Sequence, residues 1–221
     1  CRSDLDGDGL SDLVVGAPFA DGDREAEGAV YVLSGGDLPQ STTLSVAAKR
    51  VLTGLGPQHW AGWAVATGDL DGDGRADLAV GAPGALDGSG MVMVWRGQTV
   101  FTQGNRFPDF RLFGIQAGDG FGRSLRIEDV DGDGRGDLFV GAPRRNPAAN
   151  GAPATFDSGA LYLFRGSSDF STWRPNLFAD EADVVWEEPR QFLRTGQRIA
   201  VGDVDGDGSA ELAVLNRFAP D

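Results

Sequence analysis

The chain has 221 residues, a formal net charge of −14, 34 glycines and one cysteine. Such an acidic chain with dispersed arginines is a poor candidate for nucleic acid, because that binding depends on clustered cations that neutralise phosphates. No apolar run approaches the ~18–20 residues needed to cross a bilayer, and the single cysteine, Cys1, excludes an internal disulfide. We therefore expect no nucleic-acid partner and no membrane-spanning segment in this stretch.

One acidic decapeptide occurs four times. It reads DLDGDGLSDL from Asp4, DLDGDGRADL from Asp69, DVDGDGRGDL from Asp129 and DVDGDGSAEL from Asp203. In every copy, acids occupy positions 1, 3, 5 and 9 and a glycine occupies position 6. Four copies with one spacing indicate an internal repeat rather than a set of unrelated acidic turns.

The spacing of the acids indicates calcium. Carboxylates at positions 1, 3, 5 and 9, with the backbone carbonyl at position 7, are the oxygen ligands with which a tight loop surrounds a hard cation. Magnesium is the weaker candidate, because it demands near-ideal octahedral geometry and keeps its waters. An EF-hand does not fit, since position 12 is valine in all four copies and strand-like sequence follows each loop.

The segments around each loop predict β-strands in a fixed order. A first strand precedes the loop, as in WAVAT at 63–67, and an apolar run of the LVVGAP type follows it. A third strand comes after a variable loop, as in MVMVWRG at 91–97. A fourth is expected at Arg50–Thr53, at Phe110–Phe113 and at Asn176–Phe178. Four consecutive antiparallel strands per repeat predict an all-β fold, a β-propeller of four-stranded blades.

The repeat resembles the FG-GAP repeats of integrin α-subunit β-propellers and their bacterial-type relatives. Phe121-Gly122 matches the FG, and Gly-Ala-Pro follows the first three loops at 16–18, 81–83 and 141–143. The chain departs from the pattern at 61–62 and 195–196, where Ala-Gly and Thr-Gly replace FG, and at 215–217, where Leu-Asn-Arg replaces GAP. The similarity covers essentially the whole chain.

The resemblance implies four structural Ca²⁺ sites. Their ligands carry over onto the sixteen loop acids and four backbone carbonyls: Asp4, Asp6, Asp8, Leu10 and Asp12; Asp69, Asp71, Asp73, Arg75 and Asp77; Asp129, Asp131, Asp133, Arg135 and Asp137; Asp203, Asp205, Asp207, Ser209 and Glu211. The tripeptide Arg135-Gly136-Asp137 is therefore interpreted as part of a metal loop and not as an integrin-recognition sequence.

The spacing of the loops sets the expected size of the assembly. Successive loops lie about 66 residues apart, so the chain is expected to be a single partial propeller over 1–221, about three and a half blades of a seven-bladed ring. The repeats are expected at approximately 1–53, truncated at its start, 54–113, 114–178, and 179–221, truncated at its end.

The chain shows no catalytic pattern of the HExxH, GxSxG or GxxxxGK[ST] type. We expect a non-enzymatic calcium-binding module for adhesion or binding, located outside the cell, on its surface or in the periplasm, because open calcium sites of affinity ~10⁻⁴–10⁻³ M require extracellular calcium. Two alternatives stay open. One is a non-catalytic propeller appended to a secreted hydrolase or phospholipase, and the other is a lectin-like, sugar-binding propeller.

The order of the strands also predicts where a ligand binds. In a four-stranded meander, the metal loops share one face with the turns between strands three and four, so the other connections lie on the opposite face. Those connections are long and variable, at 19–27, 84–89 and 144–158, with 57–60 and 116–119 beside them. Loops of this kind usually carry recognition. A protein or glycan ligand is expected on this face, with Trp60, Arg144 and Arg145 as candidate contacts.

Overall fold

The computed structural model describes residues 3–38, 42–101, 107–147, 157–170, 172–187, 192–206 and 210–215. Its strands are β1 (Leu13–Ala17), β2 (Ala29–Leu33), β3 (Arg50–Thr53), β4 (Ala64–Gly68), β5 (Asp77–Ala82), β6 (Met91–Trp95), β7 (Phe110–Phe113), β8 (Ser124–Glu128), β9 (Asp137–Ala142), β10 (Ala160–Phe164), β11 (Asn176–Phe178), β12 (Val184–Glu187), β13 (Arg198–Gly202) and β14 (Glu211–Leu215). Two four-residue helices, α1 (Leu44–Ala47) and α2 (Gly97–Val100), lie in connections. Within the described ranges, no helix has the length and apolar character to cross a membrane.

The strands form successive antiparallel blades, as the sequence predicts. The first blade contains β1-β2-β3, the second β4-β5-β6-β7, the third β8-β9-β10-β12, and the fourth β13-β14. The acidic repeats lie between β4 and β5, β8 and β9, and β13 and β14, each pair being an antiparallel hairpin. The predicted fourth strands at Arg50–Thr53 and Phe110–Phe113 are confirmed as β3 and β7. The all-β propeller architecture is thus confirmed.

The fourth strand of the third blade was predicted in the wrong place. Asn176–Phe178 forms β11, which pairs in parallel with β7 at the outer edge of the second blade. The outer strand of the third blade is β12, which pairs with β10. Aromatic packing explains the difference, because Phe178 lies against Phe113 with ring centroids 5.6 Å apart and draws the segment onto the neighbouring blade. The third blade therefore takes its outer strand from Val184–Glu187.

The core lies in the middle strands and between consecutive blades. Every residue of β5, β6, β9 and β10 is buried, including Trp95 at 0% exposure, so these strands are apolar on both faces. The FG and GAP glycines are the points where blades meet. A Cβ atom built on Gly81 would lie 2.0 Å from the carbonyl oxygen of Gly122, so only glycine permits this approach. The same contact joins Gly16 to Gly62 and Gly141 to Gly196.

Candidate metal sites and ligand-binding face

Each acidic repeat folds into a compact loop that brings carboxylates together. In each loop, three acids place an oxygen atom within 4.8 Å of the other two. These clusters are Asp4, Asp6 and Asp8; Asp69, Asp71 and Asp77; Asp129, Asp131 and Asp137; and Asp203, Asp205 and Glu211. The donors are all carboxylate oxygens, the ligands that a hard divalent cation prefers. Asp207 and Ser209, also predicted as ligands, lie outside the described residues.

The loop is wound around its first aspartate. Asp69 accepts hydrogen bonds from the backbone N–H groups of Gly72 at 2.7 Å and Gly74 at 2.8 Å, one on each carboxylate oxygen. The loops that begin at Asp4 and Asp129 repeat this pattern. Gly72 and Gly74 have φ angles of +77° and +88°, which other residues rarely adopt. The glycines at positions 4 and 6 therefore allow the turn that gathers the acids.

The acid at position 9 joins the loop to the end of the third strand. Asp77, 1% exposed, accepts hydrogen bonds from the N–H groups of Leu70 at 2.8 Å and Gly97 at 2.9 Å. Burial raises the pKa of Asp77 to about 7; these two bonds oppose that shift, and the charges of Asp71 and Asp69 add to it. The glycine that closes each third strand thus has a role that the sequence pattern alone did not reveal.

Neighbouring groups offset the loop charges only in part. The ammonium of Lys49 lies 2.9 Å from Asp6 in the first loop, and the guanidinium of Arg165 lies 2.7 Å from Asp131 in the third. In the second loop, Asp73 accepts a 2.6 Å hydrogen bond from the uncharged Gln98 amide. The donor set, the crowding of negative charge and the raised pKa of Asp77 together fit a divalent cation with oxygen ligands.

Loops of consecutive blades are hydrogen-bonded to one another. The carbonyl of Asp4 accepts a bond from the N–H of Ala76 at 3.0 Å, and the carbonyl of Asp69 accepts one from Gly136 at 2.6 Å. Gly136 is buried in this contact, and Asp137 beside it is only 2% exposed. The Arg-Gly-Asp tripeptide at 135–137 is thus part of the loop framework, as its position in the repeat indicates.

A cavity of about 620 Å³ lies at the end of the blades that faces away from the acidic loops. We call it the opposite-face cavity. It is lined by connections of consecutive blades, namely Pro57, Gln58, His59, Trp60, Pro83, Gly84, Leu86, Asp87, Gly88, Gly118, Gly120, Arg123 and Arg144. Of the predicted contact residues, Trp60 and Arg144 line it. Arg145 does not; its guanidinium lies 3.7 Å from Asp119 and 3.3 Å from Glu187.

Sequence reasoning missed Arg123 and Trp63 on this face. The guanidinium carbon of Arg123 lies 4.3 Å from the centroid of the Trp63 ring. Both residues directly follow the glycine of their FG position, Gly122 and Gly62, in consecutive repeats. Equivalent positions of neighbouring blades are adjacent in a propeller, so an alignment of the repeats by this glycine identifies the pair.

Comparison with known proteins matches the chain to the FG-GAP repeat model at residues 2–33, 61–95 and 121–164. The chain is 38% identical over 158 residues to integrin alpha-PS2 of Drosophila melanogaster, an alignment that covers 69% of this chain and 10% of the relative. It is 37% identical over 150 residues to the phosphatidylinositol-glycan-specific phospholipase D of Mus musculus, covering 64% and 17%. It is 32% identical over 155 residues to integrin alpha-V of Gallus gallus, covering 69% and 13%. The chain thus spans less than a fifth of the length of these relatives.

The matched segments coincide with the elements that the structure places at equivalent positions. Each contains an acidic loop, the strand that follows it, the Gly-Ala-Pro turn and a third strand. The glycine contacts between blades and the glycine-wound loops account physically for the residues that define the repeat. The chain therefore belongs to the FG-GAP repeat family and is an integrin-like β-propeller.

Proposed function

We propose that this chain is a non-catalytic, calcium-stabilised binding module. The observation that carries the proposal is the recurrence of a three-carboxylate cluster in all four acidic loops, with the oxygen atoms within 4.8 Å of one another each time. The cluster uses repeat positions 1, 3 and 9 in three loops and positions 1, 3 and 5 in the first. Calcium accepts six to eight oxygen ligands in flexible geometry, which carboxylates and a loop carbonyl supply. The ion would neutralise the clustered charge and hold the loop closed between the first two strands.

The position of the clusters argues for a structural role of the metal. Three of the four lie in hairpin loops, and the position-9 acid accepts backbone hydrogen bonds, as Asp137 does from Val130 and Gly166. The loops of consecutive blades are also bonded to one another. Metal binding would therefore stiffen one face of the propeller as a unit and leave the opposite face free for a partner.

We place the ligand site on that opposite face, outside the cell, on its surface or in the periplasm, where calcium is abundant enough for sites of modest affinity. The proposal is supported by the opposite-face cavity, which is lined by residues of the connection after β5, of the connections that enter β4 and β8, and by Arg144. Relatives named as integrins support a role in adhesion or protein binding.

Calcium titration tests the proposal. Isothermal titration calorimetry on metal-free protein should give up to four sites per chain, and magnesium at the same concentration should bind more weakly. Asp71→Asn and Asp131→Asn, which remove one ligand charge each and keep the side-chain shape, should each abolish one site. Absence of calcium binding in the folded protein would refute the proposal.

A second candidate is a propeller attached to a secreted enzyme. It is favoured by the similarity to phosphatidylinositol-glycan-specific phospholipase D, which is 34% identical over 170 residues in Homo sapiens and 37% over 150 in Mus musculus. In that case the propeller would position the enzyme, and hydrolase activity of the complete protein would survive Asp71→Asn at a temperature where the propeller remains folded.

A further inference from the structure

The opposite-face cavity has the dimensions of a small-ligand site. Its volume of about 620 Å³ falls within the ~300–1,000 Å³ of ligand pockets in proteins. Its walls come from the loop after β5, the connections that enter β4 and β8, and the loop after β9, which supplies Arg144. These loops are fixed by main-chain bonds across blades, such as Gly84 N–H to the His59 carbonyl at 3.2 Å and Gly118 N–H to the Asp87 carbonyl at 3.2 Å. The cavity is therefore a built feature of the blade junction.

An aromatic cluster stands at one side of the cavity. Trp60 packs with Trp63 at 6.0 Å between ring centroids and with Phe19 at 6.3 Å. Phe19 is 65% exposed. The indole of Trp60 lies directly on Gly84, where a Cβ would be 2.8 Å from its Cδ2 atom, and Trp60 has the unusual φ of +57°. A strained backbone and an adjacent glycine thus hold a flat ring at the wall of an open cavity.

Two arginines give the cavity a positive wall. Arg123 is half-buried, and its pKa is lowered by burial, then by the positive charges of Arg144 and Arg194. Arg194 is paired with Asp157 at 2.6 Å. In the part of the chain that the structure describes, neither Arg123 nor Arg144 has a carboxylate partner. In a chain of net charge −14, two guanidinium groups without a carboxylate partner at one cavity, one of them stacked on Trp63, form a local site for an anion.

Asp87, the single acid in the lining of the cavity, narrows the class of anion that the cavity could bind. Asp87 is exposed and lines the same cavity as Gln58. A carboxylate accepts hydrogen bonds from hydroxyl groups and repels a ligand of many acidic groups. The lining therefore offers a flat ring for stacking, two guanidinium groups for one carboxylate, and acceptors for hydroxyls.

We propose that the opposite-face cavity binds a carboxylate-bearing sugar of the uronate type, with its ring stacked on Trp60 and its carboxylate on Arg123 and Arg144. The proposal rests on the proposed function, because it names the ligand class for the face assigned there. An acidic peptide could use the same arginines, but the volume of the cavity and Asp87 favour a small ligand with one carboxylate and several hydroxyls.

The test uses calcium-loaded protein and three probes: a short oligosaccharide of glucuronate, its uncharged methyl ester, and a hexapeptide of glutamate. Calorimetry and tryptophan fluorescence report binding. We expect the glucuronate oligosaccharide to bind, and the methyl ester to bind at least about tenfold more weakly, since bonds to a charged group contribute more than bonds to a neutral one. Equal affinity for the ester, or tighter binding of the peptide, overturns the proposal.

Matched variants locate the site. Arg123→Gln and Arg144→Gln should each weaken glucuronate binding about tenfold or more, and Trp60→Ala should remove the fluorescence response. The controls are Arg198→Gln and Trp186→Ala, which change an exposed arginine of β13 and a partly exposed tryptophan of β12. Equal losses in the control variants overturn the assignment, and if Trp60→Ala does not fold, the arginine variants decide alone.

The calcium response separates this inference from the proposed function. If calcium raises the melting temperature but no probe binds, the sugar assignment is wrong and the calcium module stands. If calcium neither binds nor stabilises the protein, the proposed function itself fails, whatever the probes do.

Discussion

Removal of calcium should lower the stability of the protein by a large and calculable amount. With three carboxylate oxygens within 4.8 Å of one another, each loop carries about 2.6 kcal/mol of charge repulsion even at the dielectric constant of water. If each of four sites binds calcium with a dissociation constant of ~10⁻³ M, 10 mM calcium adds about 1.4 kcal/mol per site, or roughly 6 kcal/mol in all. At about 2–4 °C per kcal/mol, the melting temperature should rise by roughly 12–24 °C.

Differential scanning calorimetry in chelator and in 10 mM calcium chloride measures this shift. Sodium chloride at matched ionic strength is the control, because it screens the loop charges without occupying the sites. We expect sodium to reproduce only a small part of the shift. Calcium is not a structural ligand of the loops if the melting temperature is the same in chelator and in calcium, or if sodium chloride alone produces the full increase.

Three further predictions concern single loops. Calorimetric stoichiometry should fall by one site in Asp71→Ala and stay unchanged in Arg75→Ala, which keeps the carbonyl ligand; a site lost from Arg75→Ala contradicts that ligand. Because the pKa of Asp77 is raised to about 7 from 3.8, its protonation favours the folded state, so metal-free protein should melt higher at pH 5.5 than at pH 8. Calcium affinity should be lower at pH 5.5 than at pH 8, because the proton competes with the metal for the carboxylate. Lys49→Gln should tighten calcium binding at the first loop by up to about fivefold, because the ammonium on Asp6 no longer competes, and weaker binding would contradict competition.

Local sequence was sufficient to predict the blades because their signals are repeated. Glycine spacing and apolar runs located β3 and β7 at the residues where the structure has them. The repeat also predicted the acidic clusters, since the glycines of the turn lie within the same ten residues as the acids. Both kinds of feature depend on contacts between residues near one another in the chain.

Features that depend on contacts between repeats were not predicted. Nothing within Asn176–Phe178 shows that it pairs with β7, more than sixty residues earlier in the chain, because the decisive contact with Phe113 is tertiary. The stacking of Arg123 on Trp63 likewise joins two blades. The hydrogen bond from the Gly97 N–H to Asp77 connects the loop to a residue twenty positions away. A motif of ten residues does not contain both partners.

The parallel strand β11 belongs to the third repeat in sequence but pairs with β7 of the second blade. The unit that unfolds cooperatively is therefore expected to be larger than one sequence repeat. The segment between β10 and β12 crosses to the second blade, where Phe170 and Trp173 pack on Phe110 with centroids 4.6 and 5.6 Å away and the Pro175 carbonyl accepts a bond from the Arg111 N–H. Loss of the third repeat would expose this aromatic surface and leave β7 as an unpaired edge. The second and third blades should therefore lose their amide-exchange protection together, and a chain cut between these two repeats would be prone to edge-to-edge association.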